Sequence, residues 1–185
     1  MNILAFGASN SKKSINQKLA FYAATQVNGA TISLIDLNDY EMPIYSEDRE
    51  KEFGIPELAT RFYNKIAEAD LIVVSFAEYN SSYTAAYKNL LDWTSRVGMQ
   101  IFQQKQVLML ATSPGAGGAK KVLSSAQSSA SSFSANLIGA ISLPSFYDNF
   151  DLETNTVTSD SFNSQLIDSF KSNDIEPVNL SKRQQ

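Results

Sequence analysis

Short continuously apolar runs alternate with amphipathic stretches along this chain, and the alternation predicts its elements. Ile3-Leu4-Ala5-Phe6 is apolar throughout and reads as a buried strand that Gly7 ends. Residues 15–27 carry Leu19, Tyr22, Ala23 and Gln26 in helical spacing, and Asn28-Gly29 is a stop signal. Residues 31–37 alternate as a second strand. Residues 38–56 are charged, contain Met42-Pro43-Ile44-Tyr45 and read as an irregular surface connection. Pro56 opens a second helix to about residue 69, with Leu58, Phe62 and Ile66 on one face. Leu71-Ile72-Val73-Val74-Ser75-Phe76 reads as a central strand covered on both faces. A third helix over 83–97 shows two apolar stripes. Ala86, Leu90, Trp93 and Val97 form one, and Tyr83, Tyr87 and Leu91 form the other. A helix apolar on two sides is either deeply buried or shared with a partner subunit, and the second reading predicts at least a dimer.

The second half repeats the alternation. Residues 106–112 are a fourth strand, 119–135 a small, serine-rich helix, and 136–143 a fifth strand. Residues 146–160 read as polar and irregular, 161–171 as a last helix, and 176–185 as a frayed tail. The order β-α-β-α-β-α-β-α-β-α predicts an α/β three-layer sandwich with a five-stranded parallel sheet. Five strands suit the flavodoxin-like order 2-1-3-4-5, whose ligand site lies beyond the strand ends at the β1/β3 switch point. The loops after strands 1, 3 and 4 would converge there. These are the three with unusual composition, over 8–16, 77–82 and 113–119.

Composition narrows the chemistry. At 185 residues, 43% of them hydrophobic and 18% charged, one globular domain over 1–175 is expected. The net charge is −4 and there is no basic run, which argues against nucleic acid as a partner. No apolar stretch is long enough to span a bilayer and the first residues lead into a strand, so a cytoplasmic location is expected. There is no cysteine and no histidine. Disulfides, thiolate nucleophiles, Ser-His-Asp triads and the usual zinc sites are therefore excluded, and no metal site is expected. A chain with so few reactive side chains suits chemistry carried by a cofactor.

The loop after the first strand holds the first candidate site. Ser9, Ser11, Ser14 and Asn16 stand where a strand gives way to a helix N-terminus, whose free N–H groups and positive partial charge favour phosphate. The alternative is that Ser14 only caps the helix.

Three segments then carry a resemblance. They are the loop 8–16; Glu78-Tyr79-Asn80-Ser81 with Lys88-Asn89-Leu90-Leu91-Asp92-Trp93; and Ser113-Pro114-Gly115-Ala116-Gly117-Gly118. Together they resemble the NADPH-dependent FMN reductase family, which includes quinone, chromate and azo-dye reductases. Pro43, Tyr45 and Asp48 also fit the family's second connection, and the resemblance covers about residues 1–172. It implies bound FMN, with NADPH or NADH as co-substrate. The reaction would be ping-pong transfer to a quinone, flavin or similar small-molecule acceptor, in a homodimer or homotetramer. Ser9, Ser14 and Asn16 match positions at the FMN phosphate. Glu78, Tyr79, Asn80 and Ser81 match the loop along the ribityl chain and ring. Ser113, Gly115, Gly117 and Gly118 match the loop at the other ring edge. With Ser11, Ile15 and Pro114, these are the candidate cofactor-binding residues.

No side chain is expected to act as catalytic acid or base, because hydride passes directly between stacked rings. Lys88 and Asp92 read as a solvated pair and Trp93 as core or interface. The chain departs from the family at Ala8 and Ser11, where members carry Gly-Ser and an arginine; Lys12 or Lys13 then supplies the charge. Ala77 and Thr84 replace prolines. The competing functions are a flavin-binding electron carrier or sensor, and a flavodoxin-like fold with an empty site.

Overall fold

A computed structural model describes residues 1–178. Its central sheet has five parallel strands: β1 (Asn2–Ala8), β2 (Thr31–Ile35), β3 (Leu71–Phe76), β4 (Gln106–Thr112) and β5 (Asn136–Leu143). They lie in the order β2-β1-β3-β4-β5, as the sequence pattern predicts. The register sets Ala8 beside Phe76 and Phe76 beside Ala111. The C-terminal ends of β1, β3 and β4 are therefore level, and their loops leave from one edge.

Alternation along the strands sends successive side chains to opposite faces. Leu4, Phe6, Ile72, Val74, Val107 and Met109 meet one helical layer: α3 (Glu57–Ala67), α4 (Ala85–Val97) and α5 (Lys120–Ser129). Ile3, Ala5, Leu71, Val73, Leu108 and Leu110 meet the other: α1 (Ile15–Thr25) and α7 (Asp160–Lys171). All six residues of β3 are buried, in keeping with a central strand. Gly7 allows α1 to sit close on β1, since a Cβ there would stand 2.5 Å from the Gln17 backbone nitrogen.

The chain itself covers both stripes of α4. Leu90 and Trp93 are buried, and so are Tyr87 and Leu91. Tyr83 and Tyr87 pack against Phe76, and Trp93 meets Tyr45 edge-on with ring centroids 5.0 Å apart. A second apolar stripe on this helix therefore does not require a partner subunit. Lys88 and Asp92 form the expected exposed pair at 2.6 Å.

Two stretches read as irregular contain regular elements. Within 38–56, Ser46 caps a short helix, α2 (Glu47–Phe53), which opens on Glu47, Asp48 and Glu50. It buries no residue. Glu50 ties it down, accepting from Arg96 Nε at 2.9 Å and from the Tyr45 hydroxyl at 3.1 Å. The root of that connection is held by neutral bonds. The Asn89 amide accepts from Tyr45 N at 2.9 Å and donates to Met42 O at 3.0 Å, while Trp93 Nε1 donates to Pro43 O at 2.7 Å.

Within 146–160 lie α6 (Phe146–Asn149) and a two-stranded hairpin of β6 (Phe150–Asp151) and β7 (Thr156–Val157). Phe146 and Phe150 stack with centroids 4.6 Å apart and anchor this segment on the core. At the end of the described chain, Asn28 N donates to Glu176 O and Val178 N to Gln26 O, which holds 176–178 against the C-terminal end of α1. The remainder of the expected tail, 179–185, lies outside the described residues.

Candidate active site

The three loops, joined by α6, enclose a cleft of about 230 Å³ at the C-terminal edge of the sheet. The first wall is the N-terminus of α1 and its loop, with Ser9, Ser11, Lys13, Ser14, Ile15 and Asn16. Ser14 is the N-cap: its hydroxyl oxygen accepts from Gln17 N at 3.1 Å. That leaves its O–H proton free to donate, so capping and anion binding coexist in one side chain. Ser9, also buried, accepts from Ser11 N at 3.1 Å, which curls the loop around the helix end. The first-turn N–H groups of Ile15 and Asn16 have no carbonyl behind them in the helix. Lys13 adds a cation to this wall, whereas Lys12 does not line it.

The Asn16 side-chain amide is bonded within the protein. Its Oδ1 accepts from Ser75 Oγ at 2.7 Å and Thr112 N at 3.1 Å, and its Nδ2 donates to Thr112 O at 3.2 Å. This buried amide fastens α1 to the ends of β3 and β4. Its contribution to the cleft is its backbone.

The second wall is Ala77, Glu78 and Tyr79. Glu78 Oε2 accepts from the N–H groups of Lys121 and Val122, both at 3.0 Å. It thereby caps α5, whose own N-cap residue Ala119 offers no side-chain bond. Tyr79 and Ser82 exchange backbone hydrogen bonds at 3.0 and 3.1 Å, with Asn80 (φ 52°) and Ser81 (φ 63°) between them. This is a tight turn with two left-handed central residues. Asn80 and Ser81 occupy its exposed tip and do not line the cleft. Thr84, in place of a family proline, caps α4 by accepting from Tyr87 N at 3.2 Å, and donates to Ala8 O at 3.0 Å. It binds this loop to β1.

The third wall is Thr112, Ser113 and Pro114. The glycines beyond it divide into two kinds. A Cβ on Gly115 or Gly117 would meet nothing within 4 Å, so a flat ring has room to approach that backbone. Gly118 is required by the fold instead. Its φ is +59°, and a Cβ there would stand 2.3 Å from Ser142 Oγ. Ser145 N donates to Gly115 O and Phe146 N to Ser113 O, so the start of α6 braces this loop.

Ala77, Thr112 and Tyr147 line the cleft without having been singled out as its ligands in the sequence, and of the two lysines named there for the phosphate only Lys13 lines it. Tyr147, 60% exposed, faces the cleft from α6. A Phe-Tyr pair opening a polar run was the available signal. Burial pushes the phenols of Tyr83 and Tyr87 up, so neither ionises near neutral pH.

The donor set suits FMN. Hydroxyls, first-turn amides and an ammonium meet at one end, where a phosphate dianion would be satisfied. Tyr79 and Pro114 line the other walls, and the open backbone of Gly115 and Gly117 follows Pro114 outside the lining.

Comparison with known proteins decides the family. Residues 1–148 match the NADPH-dependent FMN reductase family. The chain belongs to this family. It is thereby an FMN-dependent oxidoreductase with NAD(P)H as electron donor. An uncharacterised protein of Mycoplasma pneumoniae is 30% identical over 150 residues, 78% of this chain and 88% of that protein. A 2-hydroxy-1,4-benzoquinone reductase of a Burkholderia species is 34% identical over 109 residues, 58% of this chain and 57% of that one. The match thus spans little more than half of that reductase. Among solved structures, the flavoenzyme NAD(P)H:(acceptor) oxidoreductase FerB of Paracoccus denitrificans superposes with a TM-score of 0.68 at 23% identity. It covers 89% of this chain and 90% of that one, which shows a shared fold. No helix among the described residues is long and apolar enough to cross a membrane.

Proposed function

We propose that the cleft holds FMN with its phosphate on the N-terminus of α1, and that electrons from NAD(P)H pass through it to a quinone or a similar planar acceptor. The observation that carries this reading is the polarity of the cleft. Free donors line the α1 wall, and Tyr79 and Pro114 line the other two. When bound, FMN would supply the redox chemistry that links NAD(P)H to the acceptor.

The chain's own part is binding and orientation. The hydroxyls of Ser9, Ser11 and Ser14, the amides of Ile15 and Asn16, and the Lys13 ammonium hold the phosphate. Tyr79 and Pro114 flank the ring, and Ser113 closes its edge. Glu78 and Asn16 position the loops that do this. Asn80, Ser81 and Gly118 shape the backbone without contacting the ring. One domain over 1–175 carries the whole site. Dependence on NAD(P)H fits a cytoplasmic place of action. A homodimer or homotetramer would cover Ile44 and Phe53, each 76% exposed on the connection beside α4.

The test is the visible spectrum of the purified protein after FMN is added and the excess removed, followed anaerobically by NADPH or NADH. A retained flavin band that bleaches promptly is expected. A band that is not retained, or is retained and does not bleach, overturns the proposal. Light scattering reads the oligomeric state, and a monomer would remove that part of the reading.

A further inference from the structure

The two edges of the sheet are not alike. At one, β5 breaks its own ladder: Leu137 pairs with Val107 and Gly139 with Leu108, so the register jumps past Ile138. Bulges, charges and prolines keep edge strands from pairing with other chains. At the other edge β2 has none of these. Thr31-Ile32-Ser33-Leu34-Ile35 is uncharged and runs beside β1 in unbroken register. Thr31 N donates to Met1 O at 2.9 Å, so the backbone groups of Thr31, and by alternation those of Ser33 and Ile35, are turned to β1. Those of Ile32 and Leu34 point to the open edge. The side chains of these two residues share the α1 face of the sheet with Ile3 and Ala5, and Leu34 is 43% exposed there. The adjoining side of α1 is apolar too. Gln17 Nε2 reaches Ile35 O at 3.4 Å, and Phe21, one turn further on, is 41% exposed. The charged residue of α1, Lys18, bonds Asn155 of the 150–157 hairpin instead. On the opposite face Ser33 borders a hollow of about 180 Å³, where Lys65 and Glu68 pair with each other at 2.9 Å. Asp36 turns its carboxylate onto Asn38. These charges are engaged within the chain.

We propose that β2 docks a second copy of this chain, β2 against β2, antiparallel about a two-fold axis at Ser33. An antiparallel ladder alternates hydrogen-bonded and non-hydrogen-bonded pairs, and this strand matches itself in both. With Ser33 on the axis, Ile32 stands opposite the second copy's Leu34, and both have N–H and C=O groups turned outward to exchange. The two Ser33 residues have theirs turned away, as a non-hydrogen-bonded pair requires. A slip of one residue would set outward groups against inward ones. The register on Ser33 engages all five residues and opposes apolar to apolar. α1 lies over β1, so the two copies of α1 stand three strand spacings apart, about 14 Å. Packed helices sit about 8–10 Å apart, which leaves a trough for Leu34 and Phe21 of each copy. The contact is isologous and closes at two copies. It goes beyond the flavin chemistry, because neither β2 nor Phe21 lines the flavin cleft, and it differs from the surface of Ile44 and Phe53. Used together, two such two-fold contacts build a tetramer from dimers.

The chain has no cysteine, so one introduced thiol reads the register without background. Ser33→Cys is oxidised in air with copper phenanthroline, which takes two electrons and two protons from a thiol pair, and is run on a non-reducing gel. Residues of a non-hydrogen-bonded pair lie about 4.5 Å apart at Cα, within disulfide reach. A disulfide-linked dimer that dithiothreitol reverses is expected. Thr31→Cys is the register control. Its two thiols would be about 13 Å apart along the strands, beyond the limit of about 7 Å, and no dimer band is expected. Equal crosslinking of the two variants overturns the proposal. So does an uncrosslinked Ser33→Cys protein, which would leave the edge to an extended segment of another protein. Leu34→Lys places an ammonium in the trough. Its particle mass by light scattering should be half that of the native protein, with near-ultraviolet circular dichroism and FMN retention unchanged. A folded Leu34→Lys protein of unchanged mass also overturns the proposal, because the copies then meet elsewhere. Should that variant fail to fold, the crosslinking pair decides.

Discussion

The loops after β1 and after β3 face the same cleft and use their polar groups in opposite ways. The first leaves its donors available: the Ser14 hydroxyl proton, the first-turn amides and the Lys13 ammonium all face the space. The second turns its polar groups back on the protein. Glu78 caps α5, and Tyr79 and Ser82 close a turn on themselves. Yet Glu78-Tyr79-Asn80-Ser81 is the more distinctive sequence, and the first loop is a plain run of serines and lysines. A recognisable motif can therefore mark the scaffold of a site, while its grip comes from commonplace residues at a helix end.

The largest expected effect breaks that contrast from the first loop. Ser14→Asp keeps a good N-cap and suits the helix dipole, but places a negative charge where the phosphate would sit. FMN affinity should fall by about a hundredfold or more, roughly 3 kcal/mol, with thermal stability of the FMN-free protein unchanged or slightly raised. Equilibrium dialysis against FMN and a melting curve check both parts; unchanged retention would move the phosphate elsewhere.

Next comes Asn16→Ala. It strips partners from the buried Thr112 N–H and the Ser75 hydroxyl, and should cost about 3 kcal/mol in urea unfolding. A loss under about 1 kcal/mol would mean that water replaces the amide. Glu78→Ala, acting on the second loop, removes two bonds from the start of α5. A loss of about 1 kcal/mol is expected, with FMN affinity changing less than in Ser14→Asp. The reverse ranking would make Glu78 a ligand rather than a cap.

The smallest effect sharpens the comparison. Asn80→Gly suits the left-handed backbone at φ 52° and removes a side chain at an exposed tip. Stability within about 0.5 kcal/mol and unchanged flavin binding are expected; a marked loss of FMN would return Asn80 to the ring.

Much of the architecture was legible because the strands are pure in pattern. Continuous apolar runs at β1, β3 and β4 fixed a doubly covered sheet, and the loop compositions fixed its working edge. Other features were hidden for physical reasons. α2 has no apolar face, since tethers at Glu50 replace burial, and only Ser46 and the acidic first turn announced it. Strands of two residues, as in the 150–157 hairpin, are too short to show a period. The direction of the Asn16 amide depends on strands 59 and 96 residues away, beyond the reach of any local pattern. The two stripes of α4 suggested a partner because sequence cannot tell a helix buried by its own chain from one buried by another. Here Phe76, Tyr45 and Met42 supply the cover.

The connection between β2 and α3 is fastened in two chemically distinct ways. Its root, at 42–45, is held by an amide and an indole, and neutral bonds of that kind ignore dissolved ions. The helix beyond it hangs on half-buried Glu50, which accepts from the Tyr45 hydroxyl and pairs with Arg96. Mobile ions shorten the reach of such a pair to about 8 Å at physiological strength and about 3 Å at 1 M. The segment thus behaves as a hinged flap with a fixed root and an ion-sensitive latch, and concentrated salt should let proteases cut between Ser46 and Gly54 while the sheet beneath stays intact.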